Sequence, residues 1–326
     1  MKGIIFINPY LVPEQSVHQA QRLKDEFNKR GIEIEIISDG FSRIVIEGKR
    51  ATVDMCAPDF AIYLDKDKYL SEVLEKGGLR LFNKHSAVRV CDDKGQTYIA
   101  LAGKGVNFPK TIFGGLCYDE KLKIDAKWAE KIAKELGYPV IVKESYGSMG
   151  KGVYKADNFN QLLEIMEKVK TKPHLYQEYL PYKVGTDIRV IVIGGKAVAS
   201  MERENKTDFR SNVAQGGSGK KIKLFAEFRE VAEGCAEILG LDYCGVDLIY
   251  GPNGQMYVCE VNSNAFFEEF EKITGVNVAG EYADYIIKTM QKERKNWLKT
   301  LFYGKHLCVE IFLRIFYFKK ILKMLS

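Results

Sequence analysis

Long apolar runs are missing from this chain. No window approaches the ~18 uncharged apolar residues of a membrane-spanning helix. The first apolar run, Ile4 to Ile7, is too short for the core of a signal peptide. These absences read against a helical span and a signal-peptide core, and the cysteine usage makes the cytoplasm the expected compartment. Proline is scarce, at 8 of 326 residues, and glycine stands at 29, which excludes collagen-like and low-complexity sequence. The seven cysteines are odd in number and include no Cys-x-x-Cys pair, so neither a disulfide framework nor a zinc site is indicated. Reduced, buried thiols are the expectation. A surplus of one charge is also lacking over most of the chain. The net charge of +6 resides in residues 291–326, which carry +7 and leave −1 for residues 1–290. The main body therefore offers no basic face for a nucleic acid.

What remains is a chain of 326 residues, 46% apolar and 28% charged, too long for one compact core. Residues 1–82 read as a small α/β unit. Gly3 to Ile7 is a buried-strand run, Ser16 to Lys29 a helix closed by Gly31, Ile32 to Ile37 and Phe60 to Leu64 further strands, and Lys66 to Lys76 a charged helix. That order predicts a parallel sheet. At Asn83 the texture changes. Residues 83–180 contain a polar helix over 83–102, a helix at Trp128 to Leu136, a strand at Val140 to Lys143, a helix at Phe159 to Val169 and a short strand at Leu175 to Glu178. Residues 181–290 are rich in hairpins: Gly194-Gly195 joins two strands, and Gly251 to Gly254 joins two more.

Three stretches carry chemistry. In the first, Pro-Val-Ile-Val-Lys143 runs into Glu-Ser-Tyr-Gly147-Ser148-Met-Gly150-Lys-Gly152. Glycines let backbone N–H groups turn toward an anion, and a strand-end lysine neutralises phosphate. The spacing is not that of a Walker A loop. Alone, this segment reads equally well as a plain turn. In the second, pairing Tyr250 with Gln255 sets Asp247 opposite Val258 and puts Asp247, Glu260 and Asn262 on one face. Val246, Leu248, Tyr257, Cys259 and Val261 then fall on the core face. Two carboxylates and an amide oxygen are hard ligands suited to Mg²⁺ beside phosphate. In the third, Thr-Asp187-Ile-Arg189 leads through Glu-Arg203 to Asp-Phe-Arg210-Ser211-Asn212 and a second glycine-rich segment, Gln215 to Gly219. Arginines here suit a γ-phosphate or a developing oxyanion. Pairing Ile193 with Lys196 sends Arg189 and Arg203 to opposite faces, so Arg203 is preferred and Arg189 set aside.

Together, in this order, these motifs over residues 80–290 resemble the ATP-grasp superfamily, and most closely its RimK-type α-L-glutamate ligases. The matching pieces include Gln-Glu178-Tyr179, Gly-Val-Asp247, Cys-Glu260-Val-Asn262-Ser and Phe270 to Gly280. The resemblance implies a mixed α/β and α+β chain: a pre-ATP-grasp α/β domain followed by two α+β lobes that clamp ATP. It implies nucleotide contacts from Lys94, Lys143, Ser148 and Gly150. Glu178 and Tyr179 would meet the adenine, Asp187 the ribose side, and Arg210, Ser211 and Asn212 would complete the nucleotide site. Arg203 would steady an acyl phosphate and its oxyanion, and Asp247, Glu260 and Asn262 would hold two Mg²⁺, with Mn²⁺ as a substitute. The implied chemistry is an ATP-dependent carboxylate–amine ligation between an amino acid and a carboxylate-bearing small molecule, peptide or protein. A phosphotransferase on the same fold and an ATP-binding scaffold are the rivals. No serine or cysteine nucleophile is demanded, and His18, His85, His174 and His306 read as structural.

Residues 291–326 form a basic, amphipathic tail. Over residues 297–326 it fits either a peripheral membrane contact or a helix packed on the body or on a second copy in a homo-oligomer.

Overall fold

The structure, a computed structural model, describes residues 1–10, 14–38, 44–48, 50–53, 58–211 and 217–303. The chain forms two compact units, residues 1–282 and 283–326. The second is described through Tyr303, as the continuation of a helix that begins at Val278. Most of the basic tail, residues 304–326, lies outside the described residues. No helix among the described residues is long and apolar enough to cross a membrane.

The chain begins with β1 (Lys2–Phe6), α1 (Glu14–Lys29), β2 (Glu33–Ile37), the hairpin β3 (Ile44–Glu47) and β4 (Arg50–Val53), β5 (Phe60–Tyr63), α2 (Lys68–Lys76) and β6 (Arg80–Phe82). Strands β2-β1-β5-β6 pair in parallel, as the strand–helix–strand order anticipates. The β3–β4 hairpin and β6 are additions to the expected elements. Next come α3 (His85–Cys91), α4 (Lys94–Leu101), β7 (Thr111–Phe113), α5 (Ala126–Leu136), β8 (Val140–Glu144), β9 (Val153–Ala156), α6 (Phe159–Val169) and β10 (His174–Glu178). The single helix expected over 83–102 is two. Asp93 stands between them in an extended conformation, and its carboxylate accepts from the Gln96 N–H, capping α4. Strands β7-β10-β8-β9 make an antiparallel sheet. Its Val140, Val142 and Tyr176 bury against Leu162 and Met166 of α6.

The last sheet is built from β11 (Thr186–Ile193), β12 (Lys196–Glu204), β13 (Ser218–Ile222), β14 (Tyr243–Tyr250) and β15 (Met256–Asn262). α7 (Ala226–Leu239) separates β13 from β14, and α8 (Glu268–Thr274) and α9 (Val278–Tyr303) follow β15. The strand order is β13-β12-β11-β14-β15, antiparallel throughout. α7 lays Phe228, Ala232, Cys235, Ala236 and Leu239 at three- and four-residue steps onto Ile188, Val190, Val192 and Val246. Each aliphatic side chain so buried contributes about 1.5–3 kcal/mol. The expected second glycine-rich loop is partly strand, since β13 starts at Ser218; residues 212–216 lie outside the described residues.

Two polar joints fasten the first sheet to the last lobe. Asn83, at the change of texture, is 1% exposed and spends its whole amide. Nδ2 donates to the Tyr243 and Ser263 carbonyls (2.7 and 2.8 Å), and Oδ1 accepts from the Asp242 and Tyr243 N–H groups (2.6 and 2.9 Å). It thus ties the start of β14 to the end of β15. On α1, Glu26 accepts from Arg22, Lys29 and Arg30, while Arg22 also reaches Glu271 and Asn277 near the end of the lobe. Burial alone would raise the Glu26 carboxyl. The hydrogen bonds from Lys29, Arg30 and Arg22 outweigh it and hold the group at about 2.

Replacing Asn83 with Ala leaves two carbonyls and two N–H groups unpaired in a buried joint. A loss of about 3 kcal/mol or more in a denaturant melt is expected. Replacing Glu26 with Gln should cost about 1–2 kcal/mol at pH 7. A depressed carboxyl contributes stability above its ordinary value and loses it as pH falls through the folded value. The gap between wild type and Glu26→Gln should therefore close as the pH falls from the ordinary glutamate value of 4.5 toward about 2. Thermal melts across that range measure it.

Candidate active site

Two register shifts decide what faces the site. Between β14 and β15, Tyr250 pairs with Met256 and Leu248 with Val258, and then a bulge at Cys259 sets Asp247 opposite Glu260. The turn expected from the sequence is one residue shorter, with an unbroken ladder. Each shift alone would flip the faces. Two shifts restore parity, so Asp247, Glu260 and Asn262 do share a face. The corrections fall on their neighbours. Val258 packs in the core with Leu248, and Cys259, expected there, turns its thiol to the site, 3.7 Å from Lys143 Nζ. The Tyr98 hydroxyl donates to the Cys259 carbonyl at 2.7 Å and pins the bulge.

A second bulge lies between β11 and β12. Ile193 pairs with Lys196 as expected, but Val198 is unpaired, so Asp187 faces Arg203 and Arg189 faces Met201. This corrects the placement of Arg189 and Arg203 on opposite faces. They share one. Because β14 sets Asp247 opposite Arg189, a chain of alternating charge forms. Ser211 Oγ donates to Asp187 (2.5 Å). Arg203 binds Asp187 through Nε and a terminal nitrogen (2.7 and 2.5 Å) and reaches Asp247 at 3.0 Å, and Arg189 grips Asp247 bidentately at 2.7 Å twice. Burial works against the Arg203 cation, but Asp247 and Asp187 hold its pKa above the ordinary value. Burial likewise opposes the Asp247 charge, and Arg189 and Arg203 reverse that, leaving it below the usual carboxylate range. Burial pushes Asp187 upward, with the adjacent Asp247 charge adding to it. At Gly245, opposite Asn262, a Cβ would meet that of Ala265 at 2.5 Å, so glycine lets the chain after β15 close over this face.

A cavity of about 140 Å³ opens above this chain of charges. Lys94, Lys143, Ser148, Gly150 and Lys151 bring it cationic and backbone N–H character, and Ile141, Val153, Leu180 and Ile249 are its apolar lining. Lys143 is 7% exposed. Burial opposes its charge, and the acidic groups around it, Cys259, Tyr98 and Glu260, leave its pKa above the ordinary lysine value. Lys94 Nζ donates to the Gly147 carbonyl (2.8 Å) and lies 3.4 Å from Glu260. From the other lobe, Arg210 is clamped by Asp208 and donates to the Gly150 carbonyl at 3.1 Å, so the glycine-rich loop is held from both sides. Glu178 and Tyr179 line the cavity, and Glu178 Oε1 accepts from the Lys110 N–H at 2.7 Å.

A second cavity, of about 280 Å³, shares Gly147, Ser148 and Glu260 with the first. Arg189 and Asn262 line it, together with Asn8, Asp65 and Asp92 from the amino-terminal part of the chain. Of the residues expected from sequence, Lys94, Lys143, Ser148, Gly150, Glu178, Tyr179, Asp187, Arg210, Ser211, Asp247 and Glu260 meet at the first cavity. Asn262 faces the second. Arg203, 4% exposed, lines neither cavity and is held in its ion pairs with Asp187 and Asp247. Asn212 lies outside the described residues. Arg189 was passed over although a signal existed: it stands two residues after Asp187 on one strand, and period two puts both on one face in any register. His174 hydrogen-bonds Tyr176 and the Lys172 carbonyl, and His85 hydrogen-bonds Ser71.

The donor set fits a divalent cation in part. Glu260 and Asn262 turn hard oxygens to the cavity walls, whereas both oxygens of Asp247 bind guanidinium groups. Among the described residues, no group of three or more His, Cys, Asp or Glu side chains is arranged to hold a metal ion by itself.

Comparison with known proteins places this geometry. Human N-acetylaspartylglutamate synthase A is 35% identical over 247 residues, which are 75% of this chain and 61% of that protein. A probable alpha-L-glutamate ligase of Psychromonas ingrahamii is 32% identical over 300 residues, 86% of this chain and 95% of that protein. This chain thus spans less than two thirds of the human relative's length. Among solved structures, D-alanine–D-alanine ligase from Bacillus anthracis complexed with ATP superposes with a TM-score of 0.66 at 19% identity, covering 91% of this chain and 99% of that one, which shows the ATP-grasp fold. The model of the RimK-like ATP-grasp domain matches residues 91–286. That is more than half of the chain and takes in the glycine-rich loop, both bulged hairpins and the paired arginines: this chain belongs to the RimK-like ATP-grasp family.

Proposed function

We propose that this protein is an ATP-dependent carboxylate–amine ligase, which joins an amino acid to a carboxylate-bearing acceptor and releases ADP and phosphate. The observation that carries the reading is the wall common to the two cavities. Gly147, Ser148 and Glu260 line both, so a nucleotide in the first would present its terminal phosphate to a substrate in the second.

ATP would lie with its base among Ile141, Val153, Leu180 and Ile249, beside the Glu178–Leu180 chain. Its phosphates would meet Lys143, Lys94 and the loop from Gly147 to Gly150. Glu260 and Asn262 would hold Mg²⁺, or Mn²⁺, which accepts the same hard oxygens. A second ion would require Asp247 to exchange a guanidinium for the metal. When bound, the metal neutralises phosphate charge and orients the transferring group. The lysines and the loop do the same work by position alone, since phosphoryl transfer needs charge neutralisation more than a covalent protein group.

In the first step a carboxylate oxygen of the acceptor bonds to the γ-phosphorus, the bond to the β–γ bridging oxygen breaks, and ADP leaves. In the second, the amine nitrogen bonds to the acyl carbon, an oxyanion forms, phosphate departs with its electron pair, and the nitrogen loses a proton. Arg189 faces the cavity where that oxyanion arises. Arg203 fixes Asp247, which orients Arg189, so in this reading Arg189 makes the contact with substrate and Arg203 holds it in place. Covalent catalysis by Cys259 is disfavoured: burial raises its pKa despite the adjacent Lys143, and only a thiolate is a strong nucleophile.

ADP release from the purified protein with Mg-ATP, screened over amino acids and pooled carboxylate acceptors, tests the reading. Release that needs both substrates and yields an amide is expected. A phosphorylated acceptor without amide would make it a phosphotransferase, and ATP binding without turnover a scaffold. Replacing Glu260 with Gln should spare the fold and cut Mg-dependent release by about 10²–10³-fold. Replacing Arg210 with Ala frees the Gly150 side of the loop. The KM for ATP should rise about tenfold, from loss of one charge-assisted hydrogen bond, with kcat changed less.

A further inference from the structure

The parallel sheet of the amino-terminal part has the order β2-β1-β5-β6. From β1 the chain goes to one side, to β2, and later returns on the other, to β5. The strand order therefore reverses between β1 and β5, and the crevice beyond the carboxyl ends of such a pair is where open α/β sheets bind ligands. Asn8 follows β1 and Asp65 follows β5, and both line the second cavity. They are joined there: Asn8 Nδ2 donates to Asp65 Oδ1 at 3.0 Å, and the Lys66 N–H donates to the same oxygen at 2.6 Å. The crevice is held against the chain after β15. Asn264 Nδ2 donates to the Asp65 carbonyl at 3.3 Å, and Gln19 Nε2 to the Ala265 carbonyl at 3.3 Å.

The charges lining the cavity pair off, with one exception. Lys66 binds Asp92 at 2.8 Å, Arg189 binds Asp247, and Glu260 lies beside Lys94. Among the described residues, no cation reaches the Asp65 carboxylate. A half-buried carboxylate, oriented by two hydrogen bonds and left without a counter-charge, suits a cation brought by a ligand. It does not suit the reacting amine, because an adjacent carboxylate stabilises the ammonium form and a protonated nitrogen cannot attack.

We propose that the Asn8–Asp65 crevice is a specificity subsite for the substrate whose carboxylate is activated, and that Asp65 there holds a primary ammonium group on that substrate which takes no part in the reaction. The inference rests on the ligase reading for the words "activated" and "reaction". The acceptor class is then a free amino acid or an amine-bearing carboxylate, rather than a polycarboxylate or an N-acylated acid.

Calorimetry on the full chain, loaded with Mg²⁺ and a non-hydrolysable ATP analogue, tests the subsite directly. The probes are the free L-amino acids, their N-acetyl counterparts and citrate. At least one free amino acid should bind at least tenfold tighter than its N-acetyl form. Asp65→Asn should abolish that preference while leaving affinity for the nucleotide analogue unchanged, and Asp65→Glu, which keeps the charge, should retain it. The proposal is overturned if Asp65→Asn leaves the preference intact, if N-acetyl forms or citrate bind as tightly as free amino acids to the wild type, or if no free amino acid binds at 10 mM, a concentration about tenfold above millimolar affinity. Asp65-dependent binding without any amide product would keep the subsite and defeat the ligase reading, so the two fail separately.

Discussion

Asp247 lies buried between two guanidinium groups, and the arrangement of the site follows from what that burial requires. Removing a carboxylate from water is expensive unless partners surround it, and leaving one partner of such a cluster alone costs about 3–5 kcal/mol. Here Ser211, Asp187, Arg203, Asp247 and Arg189 form one run of alternating donors and acceptors across three strands. Each member needs its neighbours on the same face, so the run tolerates only one parity of β11, β12 and β14. That parity also delivers Glu260 beside Asp247 and, from the opposite side, Arg189 to the second cavity. Electrostatic demand within the sheet and the layout of the site are the same constraint.

The bulges at Val198 and Cys259 are how the strands meet it. Each hairpin closes with ordinary turn chemistry at one end, the Gly194-Gly195 pair or the Gly251 to Gly254 turn, and each then inserts one residue before reaching the site. The apolar halves near the turns pair in one register to fill the core beneath α7, and the charged halves pair in another. At Cys259 the extra residue places a thiol beside Lys143, and its carbonyl takes the Tyr98 hydroxyl. The irregularity is thereby tied to α4, the helix that also carries Lys94.

Much of this was legible beforehand, because the informative residues sit in regular strands. Period two put Asp247, Glu260 and Asn262 on one face, and that face survived because two register errors cancelled. The same rule pointed to Arg189 through Asp187 and was overridden by an assumed unbroken hairpin. Bulges leave little trace in a sequence. Val198 and Cys259 look like ordinary strand residues, and the groups that hold the chain there come from elsewhere: the Tyr98 hydroxyl on the Cys259 carbonyl, and the Glu233 carboxylate on the Ala197 N–H. The helix break at Asp93 had a local signal, an aspartate three residues before Gln96, yet the polar texture over 83–102 read as continuous. Beyond local pattern altogether were Asn83, whose four bonds run about 160 to 180 residues ahead, and the Asn8–Asp65 pair, 57 residues apart.

The long-range joints explain how the amino-terminal sheet comes to line the second cavity. A parallel sheet of four short strands could sit beside the lobes as a passive neighbour. Instead, Asn83 fixes the start of β14 and the end of β15 to the strand β6, and Asn264 and Gln19 lock the following segment to β5 and α1. Glu260 and Asn262 lie on β15, immediately before that segment. The oxygens that would hold the metal and the crevice that would hold the substrate are thus set by one rigid frame. Preorganisation of this kind converts binding energy into orientation, because groups already in place need no ordering when the ligand arrives. Asn8 and Asp65 of the crevice come from residues 1–82, whereas Lys94, Lys143, the glycine-rich loop and the arginine–aspartate run come from later in the chain, so a substitution at the crevice leaves those groups in place.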